Sequence, residues 1–370
     1  MKSDSEIIPN VTLDKLEQLA KEIIAIKKDL RLGTSSLTPL NYKEEMEKFF
    51  SSSSYNPKYI YKEHNLPDIQ KKVDNLKIEI DKLILPDDLK EYVLDFLDDQ
   101  QKLFLTKASL GKKDFSKYAH DLFDWGTDRL DLLLAGTPDV KFKLHIKHRL
   151  QKSEKIKERF EENLTRYNIN SFKVEIDSFS PHIINVGFKK IGIGSEIRRF
   201  ECNVDRLIVH EIESHVLQSE NVMNSPTLLS HLSNYGSQNL YGEGLAIYNE
   251  ITTRKITPSA FEIYYYRIKA VKMLDKSFRE IFESLVETLG PNRAFVMTYR
   301  VKRGLADTSA PGGFPKDAAY LLGFHEIENL VADKFPRKLL YATKSPVLST
   351  LLNKYGLLDL KNLKTPKFQR

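Results

Sequence analysis

The stretch LIVHEIESHVLQSEN, residues 207–221, decides how this chain is interpreted, because it carries two histidines on one amphipathic segment. His210 and Glu211 begin a motif similar to H-E-x-x-H, but the second histidine is His215, five positions after the first instead of four. The apolar residues of the stretch fall on one side of a helix, and a helix can carry two histidines without function. The spacing therefore leaves two interpretations, a metal site with one extra residue or an ordinary amphipathic helix.

Helix geometry sharpens this choice. Each residue of an α-helix turns by about 100°, so residues five positions apart differ by about 140° and their imidazoles cannot reach one ion. A π-bulge closes an i→i+5 turn and would return His215 to a position above His210. The metal interpretation therefore predicts a local π-turn here. Such turns occur mostly at functional sites.

A catalytic zinc site also needs a third protein ligand and one open coordination position. The segment NLYGEGLAIYNE, residues 239–250, offers Glu243 near the predicted start of a helix and Glu250 two turns later on nearly the same face. We favour Glu243 as the ligand and Glu250 as a carboxylate that orients a histidine. Two alternatives remain open, namely Glu250 as the ligand itself and Glu243 as an ordinary residue at a helix N-terminus.

The composition is that of a globular protein that can bury a sizeable core. Of the 370 residues, 41% are hydrophobic and 29% are charged, and the net charge is +6. Without a long basic block, this mild excess does not indicate a nucleic-acid partner, although it would attract an acidic peptide. A single cysteine, Cys202, excludes an intrachain disulfide and a Cys-based zinc site. Histidine and carboxylate must therefore hold any metal.

The opening residues, MKSDSEIIPN, lack the basic and apolar regions of a signal peptide. No apolar run approaches the roughly 18 residues needed to span a bilayer. We therefore expect a cytoplasmic protein with no membrane partner.

The pattern along the chain predicts an α+β fold that is mostly helical. We expect an amphipathic N-terminal helix within residues 1–34, followed by a single domain over residues 35–370. Helical spacing dominates residues 66–165, including one long charged helix from about residue 143. Alternating and β-branched residues at 171–200 predict two or three strands in a small antiparallel sheet.

Several segments together carry a family resemblance. HEIESHVL, EGLA and the long block RVKRGLADTSAPGGFPKDAAYLLG (residues 300–323), with PLNYKEEMEKFF and YNPKYIY (within residues 39–61), resemble a zinc carboxypeptidase family. This is the family of the microtubule-associated tyrosine carboxypeptidases, formerly a domain of unknown function, with bacterial members labelled tyrosine/phenylalanine carboxypeptidases. Its zinc motif is H-E-x-x-x-H, which has the same extra residue. The resemblance extends over residues 39–330.

The resemblance implies a gluzincin-like metallopeptidase with a small antiparallel sheet beside the zinc-binding helix. It implies one zinc ion per chain on His210, His215 and Glu243, with Glu211 as the general base for a zinc-activated water. The implied activity is hydrolysis of the C-terminal residue, Tyr or Phe among the candidates, of a peptide or protein. Where family members often have other residues, this chain has Glu213-Ser214 and Gly242. These departures leave the implied ligands intact but could alter the rim of the site.

A carboxypeptidase also needs a cation for the terminal carboxylate of its substrate, and the fork of an arginine matches a carboxylate well. The block at 300–323 offers Arg303, Arg300 and Lys316, and Tyr320 could donate a hydrogen bond to the oxyanion or the carboxylate. The alternative for Arg303 is a plain i,i+4 ion pair with Asp307 on a surface helix.

Two further classes of function stay open at this point. The chain could be another zinc hydrolase, such as an aminopeptidase or an endopeptidase. It could also be a non-catalytic, zinc-binding regulatory protein, although a free glutamate beside His210 has no purpose in a purely structural site.

Overall fold

The computed structural model describes residues 8–64, 66, 68–123, 125, 127–135, 149–178, 184–187 and 189–369. It is mostly helical, as predicted. Its contacts group into two compact units that alternate along the chain. The first unit comprises residues 1–137, 232–239 and 263–322, and the second comprises residues 138–231, 240–262 and 323–370. The predicted domain boundaries stay a prediction, because a compact unit is not the same as an independently folding domain.

The residues described up to position 135 form seven helices, which are α1 (Asn10–Leu30), α2 (Thr34–Leu37), α3 (Tyr42–Phe50), α4 (Ile69–Asp81), α5 (Asp87–Ala108), α6 (Phe115–Leu122) and α7 (Thr127–Ala135). Helix α1 is the predicted amphipathic helix. It packs against α4 and α5 and buries one stripe at helical spacing, made of Leu16, Leu19, Ala20, Ile23, Ile26 and Leu30. The leading helix is therefore part of the first unit rather than an appendage.

The middle of the chain contains β1 (Leu150–Lys152), α8 (Ser153–Arg166), β2 (Lys173–Asp177), β3 (Ile184–Val186), β4 (Lys190–Gly194) and β5 (Arg198–Phe200). Strands β1 and β5 form an antiparallel pair. The other sheet has the order β2-β4-β3, in which β4 runs parallel to β2 and antiparallel to β3.

Two predictions for this region were wrong in part. The sheet was expected to be antiparallel, but β3 and β4 form the antiparallel pair and the chain returns β4 alongside β2 in parallel. Strand propensity does not distinguish these pairings, since both use the same short β-branched segments. The long charged helix begins only at Ser153, whose hydroxyl donates to the carbonyl of Gly194, because residues 150–152 form β1 and pair with β5. The start of that predicted helix, residues 143–148, lies outside the described residues.

Helices resume in the last part of the chain. They are α9 (Glu201–Leu207), a π-helix (Ile208–Val216), α10 (Leu217–Met223), α11 (Tyr235–Thr252), α12 (Pro258–Lys272), α13 (Phe278–Leu289), α14 (Pro291–Lys302), α15 (Ala319–Ala332), α16 (Leu339–Ala342) and α17 (Pro346–Lys354). Short 3-10 segments occupy Leu228–His231, Pro315–Ala318 and Lys367–Gln369.

The core of the second unit fixes the π-helix against the small sheet. Ile208, Ile212 and Val216 are buried at intervals of four residues, and they join a cluster that also includes residues of α8, β2 and β4. Burial of an aliphatic side chain stabilises the fold by about 1.5–3 kcal/mol, so this apolar stripe fixes which side of the π-helix faces the core. The histidines are left on a different side of the same helix.

Candidate metal centre

The two histidines lie on a stretch of π-helix, as their spacing predicted. Residues 201–223 form one continuous helix whose middle, Ile208–Val216, has π geometry. At its end the backbone N–H of Leu217 donates to the carbonyl of Ile212, five residues earlier. The rings of His210 and His215 consequently have centroids only 5.0 Å apart. The extra residue of the motif is therefore absorbed locally, and the prediction of a π-turn is confirmed.

A buried network of polar side chains supports this turn. The hydroxyl of Ser214 donates to the carbonyl of Val209 at 2.9 Å, and the Nδ2 of Asn249 donates to both Ser214 Oγ and Tyr341 Oη, at 2.9 and 2.8 Å. Ser214, Asn249 and Tyr341 are fully buried. Buried polar groups are costly unless they are bonded, so this network favours one backbone path over alternatives.

Glu243 completes a convergent set of ligand atoms. Its Oε2 lies 3.5 Å from His210 Nε2 and 3.6 Å from His215 Nε2. Zinc–nitrogen and zinc–oxygen bonds of about 2.0–2.1 Å in a tetrahedron place neighbouring ligand atoms about 3.3 Å apart. The two distances from Glu243 to the histidines are therefore close to the separation expected for neighbouring ligands of one such cation.

Glu211 lies beside the same three residues. Ligand atoms of His210, Glu211 and His215 all lie within 4.8 Å of one another. Glu211 is half-buried and follows His210 directly in the chain.

Glu250 lies on the other edge of the His210 ring. Its Oε1 is 2.7 Å from His210 Nδ1 and accepts a hydrogen bond from Arg206 Nη1 at 2.8 Å. Glu250 is fully buried. A carboxylate on the far nitrogen of a histidine fixes the ring so that its Nε2 points to a metal. Glu243 and Glu250 thus contact different nitrogens of one histidine. That Glu243 is the ligand and Glu250 the orienting carboxylate stays a prediction.

The site is rich in negative charge. Burial lowers the pKa of His210, but hydrogen bonds to Glu243 and Glu250 and the nearby Glu211 outweigh burial and raise this pKa to about 10. Carboxylates that hold a proton on a buried imidazole would equally stabilise a metal cation in its place. The electrostatics of the site therefore agree with the geometry of its donor atoms.

Glu243 owes its position to a close contact between two helices. A Cβ on the next residue, Gly244, would come within 2.1 Å of the backbone of Gly323, and a Cβ on Gly323 would come within 1.9 Å of the carbonyl of Leu240. Helices α11 and α15 therefore meet backbone to backbone beside Glu243, which explains the glycine that follows this glutamate. Gly242 has nothing closer than 3.8 Å and carries no such constraint.

Residues 47–345 match the sequence profile of a family described as microtubule-associated tyrosine carboxypeptidase. The match covers most of the chain and includes every residue of the candidate centre. The chain belongs to this family. It is also 33% identical over 130 residues to mouse microtubule-associated tyrosine carboxypeptidase 1, over 34% of this chain and 27% of the mouse protein. The aligned part thus spans about a quarter of that relative.

In the described part of the chain, no helix is both long and apolar enough to span a membrane.

The predicted substrate-binding residues Arg300, Arg303, Lys316 and Tyr320 belong to the first unit, whereas the candidate metal centre belongs to the second. Arg303 is buried and lies 3.8 Å from the carboxylate of Asp317. The alternative ion pair between Arg303 and Asp307 is not formed, since Asp307 pairs with Lys58. Arg303 is therefore not a surface residue of a solvated helix.

Sequence reasoning missed four residues that organise these sites. Arg206 could have been found from the sequence, because it precedes His210 by four positions and residues at that spacing lie on the same face of a helix. Ser214 and Asn249 have none, since their bond joins two helices 35 positions apart. Arg267 lies outside the segments on which the family resemblance was based, although its Nε lies 3.9 Å from the carboxylate of Asp317.

Proposed function

We propose that this protein is a zinc-dependent metallo-carboxypeptidase that hydrolyses the C-terminal residue of a peptide or protein, with tyrosine and phenylalanine as the preferred residues. The observation that carries the proposal is the position of Glu243 Oε2, which lies 3.5 Å from His210 Nε2 and 3.6 Å from His215 Nε2, close to the separation of neighbouring ligands around one tetrahedral ion. The family's described activity supports the reaction class.

In this proposal His210, His215 and Glu243 hold one zinc ion per chain. Two imidazoles and one carboxylate form a donor set typical of catalytic zinc, and they leave a fourth position open. Glu250 and Arg206 keep the His210 ring in the orientation that directs Nε2 to the metal. The zinc would supply Lewis-acid chemistry, namely a more acidic water and a polarised substrate carbonyl.

Glu211 would carry the proton in the reaction. Its carboxylate takes a proton from the attacking water and then delivers it to the amine of the departing C-terminal residue. Water adds to the carbonyl carbon as the C–N bond breaks, so the products are a shortened chain with a new carboxylate and a free amino acid. Glu211 must remain unligated for this role, which agrees with a set of three other ligands.

The same proposal assigns binding of the terminal carboxylate to Arg303, with Arg300 and Lys316 as further cations and Tyr320 as a hydrogen-bond donor to the oxyanion or carboxylate. The natural substrate would be the C-terminus of a cytoplasmic protein or peptide, without a nucleic-acid or membrane partner. The name of the mouse relative describes a tyrosine carboxypeptidase, and a peptide that ends in tyrosine is therefore a reasonable first substrate.

The test uses zinc-loaded full-length protein and a short peptide that ends in Glu-Tyr. Release of free tyrosine is measured for the free acid and for the C-terminal amide, beside Glu211→Gln and the exposed control Glu201→Gln. We expect release only from the free acid, normal release by Glu201→Gln, and at least about a hundredfold slower release by Glu211→Gln with its zinc retained.

The other outcomes identify the alternative classes. Cleavage of the amidated peptide at an internal or N-terminal bond would indicate an endopeptidase or aminopeptidase. Tight zinc binding without release from any peptide in a library of C-terminal residues would indicate a non-catalytic zinc protein.

A further inference from the structure

Three arginines of the first unit surround one buried carboxylate. Asp317 is fully buried, and Arg300 binds both of its oxygens, through Nε at 2.5 Å and Nη2 at 2.7 Å. Arg267 Nε and Arg303 Nη2 lie 3.9 and 3.8 Å from the same carboxylate, beyond hydrogen-bond distance. Arg300 therefore satisfies Asp317, and the other two guanidinium groups leave the cluster with an excess of two positive charges.

Donor atoms of these two arginines lack acceptors. Among the residues that the structure describes, Arg267 Nε, Arg267 Nη1 and Arg303 Nε are buried and have no hydrogen-bond partner. The side chain of Arg303 is only 9% exposed. Buried charged donors without acceptors are rare because they lose their hydration without compensation. A ligand that brings both negative charge and acceptor atoms would remove the cost, whereas a water molecule would supply acceptors only.

Aromatic rings hold both guanidinium groups in place. Arg267 lies 3.9 Å from the ring centroid of Tyr320, which is itself stacked on Tyr264, and Arg303 lies 4.9 Å from the centroid of Phe314. Contact with these rings restricts the two guanidinium groups, so less conformational entropy is lost when an anion binds. A planar oxyanion with two oxygens, a carboxylate, matches such a fork.

We infer that Arg267 and Arg303 form a carboxylate-binding site in the first unit, with Asp317 and Arg300 as the pair that positions them. Arg300 is thereby a positioning residue and not the further binding cation considered above, since Asp317 already occupies its fork. Arg267 takes the direct role instead. That the bound carboxylate is the C-terminus of a peptide rests on the proposed function; the site itself does not depend on the metal.

The experiment measures binding of N-acetyl-L-tyrosine and its uncharged amide to metal-free, full-length protein by titration calorimetry. Arg267→Gln and Arg303→Gln are compared with Arg293→Gln, an exposed arginine of α14. A charge-assisted hydrogen bond contributes about 1.5–3 kcal/mol, so each cluster variant should bind the acid about tenfold or more weakly. Arg293→Gln should bind as the wild type does, and the amide should bind to none of them.

Arg267→Lys provides a second variant that retains the charge without the fork, and it should bind the acid with intermediate affinity. Equal binding of acid and amide to the wild type, no binding of the acid, or unchanged binding in both Arg267→Gln and Arg267→Lys would overturn the inference. Because the protein is metal-free throughout, a failure here is distinct from a failure of the zinc site. Release of tyrosine without such binding would leave the proposed function standing.

Discussion

The hydroxyl of Ser214 donates a hydrogen bond to the carbonyl of Val209, five residues earlier, at 2.9 Å. This bond spans the turn in which the helix departs from α geometry, one residue before His215. Asn249 of α11 binds the same hydroxyl and so ties the turn to the helix that carries Glu243. Ser214 and Asn249, which are not candidate ligands themselves, therefore support the spacing of His210 and His215.

Ser214→Ala should weaken metal binding without removing a ligand. Loss of the hydroxyl leaves Asn249 with one partner fewer and releases the turn that brings His215 over His210. Substitution of such a supporting residue typically lowers metal affinity by about 10–100-fold. Competition titration with a chromophoric zinc chelator measures the change. Ser219→Ala, the same substitution on the adjoining α10, is the control, and equal affinities of the two variants would contradict this role of Ser214.

Glu250→Gln should reduce zinc affinity by a similar factor of about 10–100, because a neutral amide holds the Nδ1 proton of His210 less strongly and leaves Arg206 without its carboxylate. Cobalt substitution gives an independent readout, since the visible spectrum of bound Co²⁺ reports ligand geometry. The exposed Glu201→Gln serves as the control here too. If Glu250 were instead the third ligand, zinc would be lost from Glu250→Gln and retained by Glu243→Gln.

Gly244→Ala should destabilise the protein, whereas Gly242→Ala should not. The new methyl at position 244 would meet the backbone of Gly323, which cannot move as a flexible side chain could, and overpacking of this kind costs about 1–3 kcal/mol or more. The methyl at position 242 has room, and alanine favours a helix by up to about 1 kcal/mol over glycine. Thermal unfolding followed by circular dichroism compares the two, and equal melting temperatures would contradict the close approach of α11 and α15.

Asp99 predicts a pH dependence of stability that is separate from the metal site. Burial raises the pKa of Asp99 to about 6, although the backbone N–H of Tyr235 donates to its carboxylate. A raised pKa in the folded state means that stability from this group is full below the ordinary pKa of 3.8 and is lost as the pH rises through about 6. The loss amounts to at most about 3 kcal/mol.

Asp99→Asn keeps an acceptor for Tyr235 but never ionises. Its melting temperature relative to the wild type should therefore rise between pH 4 and pH 7. The exposed neighbour Asp98→Asn should show no such trend. A constant difference between Asp99→Asn and the wild type across this range would contradict the buried, proton-binding state.

The π-turn was predictable from local spacing, because the i+5 histidines can share a face only through such a turn. The prediction that Glu243 lies near the start of a helix was wrong, since α11 begins at Tyr235 and Glu243 lies near its middle. The partners of these residues did not follow, because Asn249, Tyr341 and Arg267 reach their contacts through tertiary packing that no local pattern encodes.

The fold, too, was predictable where local pattern determines it and unpredictable where tertiary packing does. Helix α1 was predictable because its apolar stripe has the period of a helix. The parallel pairing of β2 with β4 was not, since pairing partners depend on the path of the chain between short strands of similar composition. Strand β1 escaped notice because three residues are too few to show alternation.

The most direct measurement is the zinc content of the purified protein by elemental analysis, for the wild type, His215→Ala and the exposed control His120→Ala, after incubation with zinc and exhaustive dialysis. Removal of one of three ligands leaves too few donors for tight binding. The account predicts about one zinc per chain in the wild type and in His120→Ala, and far less in His215→Ala. Absence of zinc from the wild type, or equal zinc in His215→Ala, would contradict a metal centre at the π-helix.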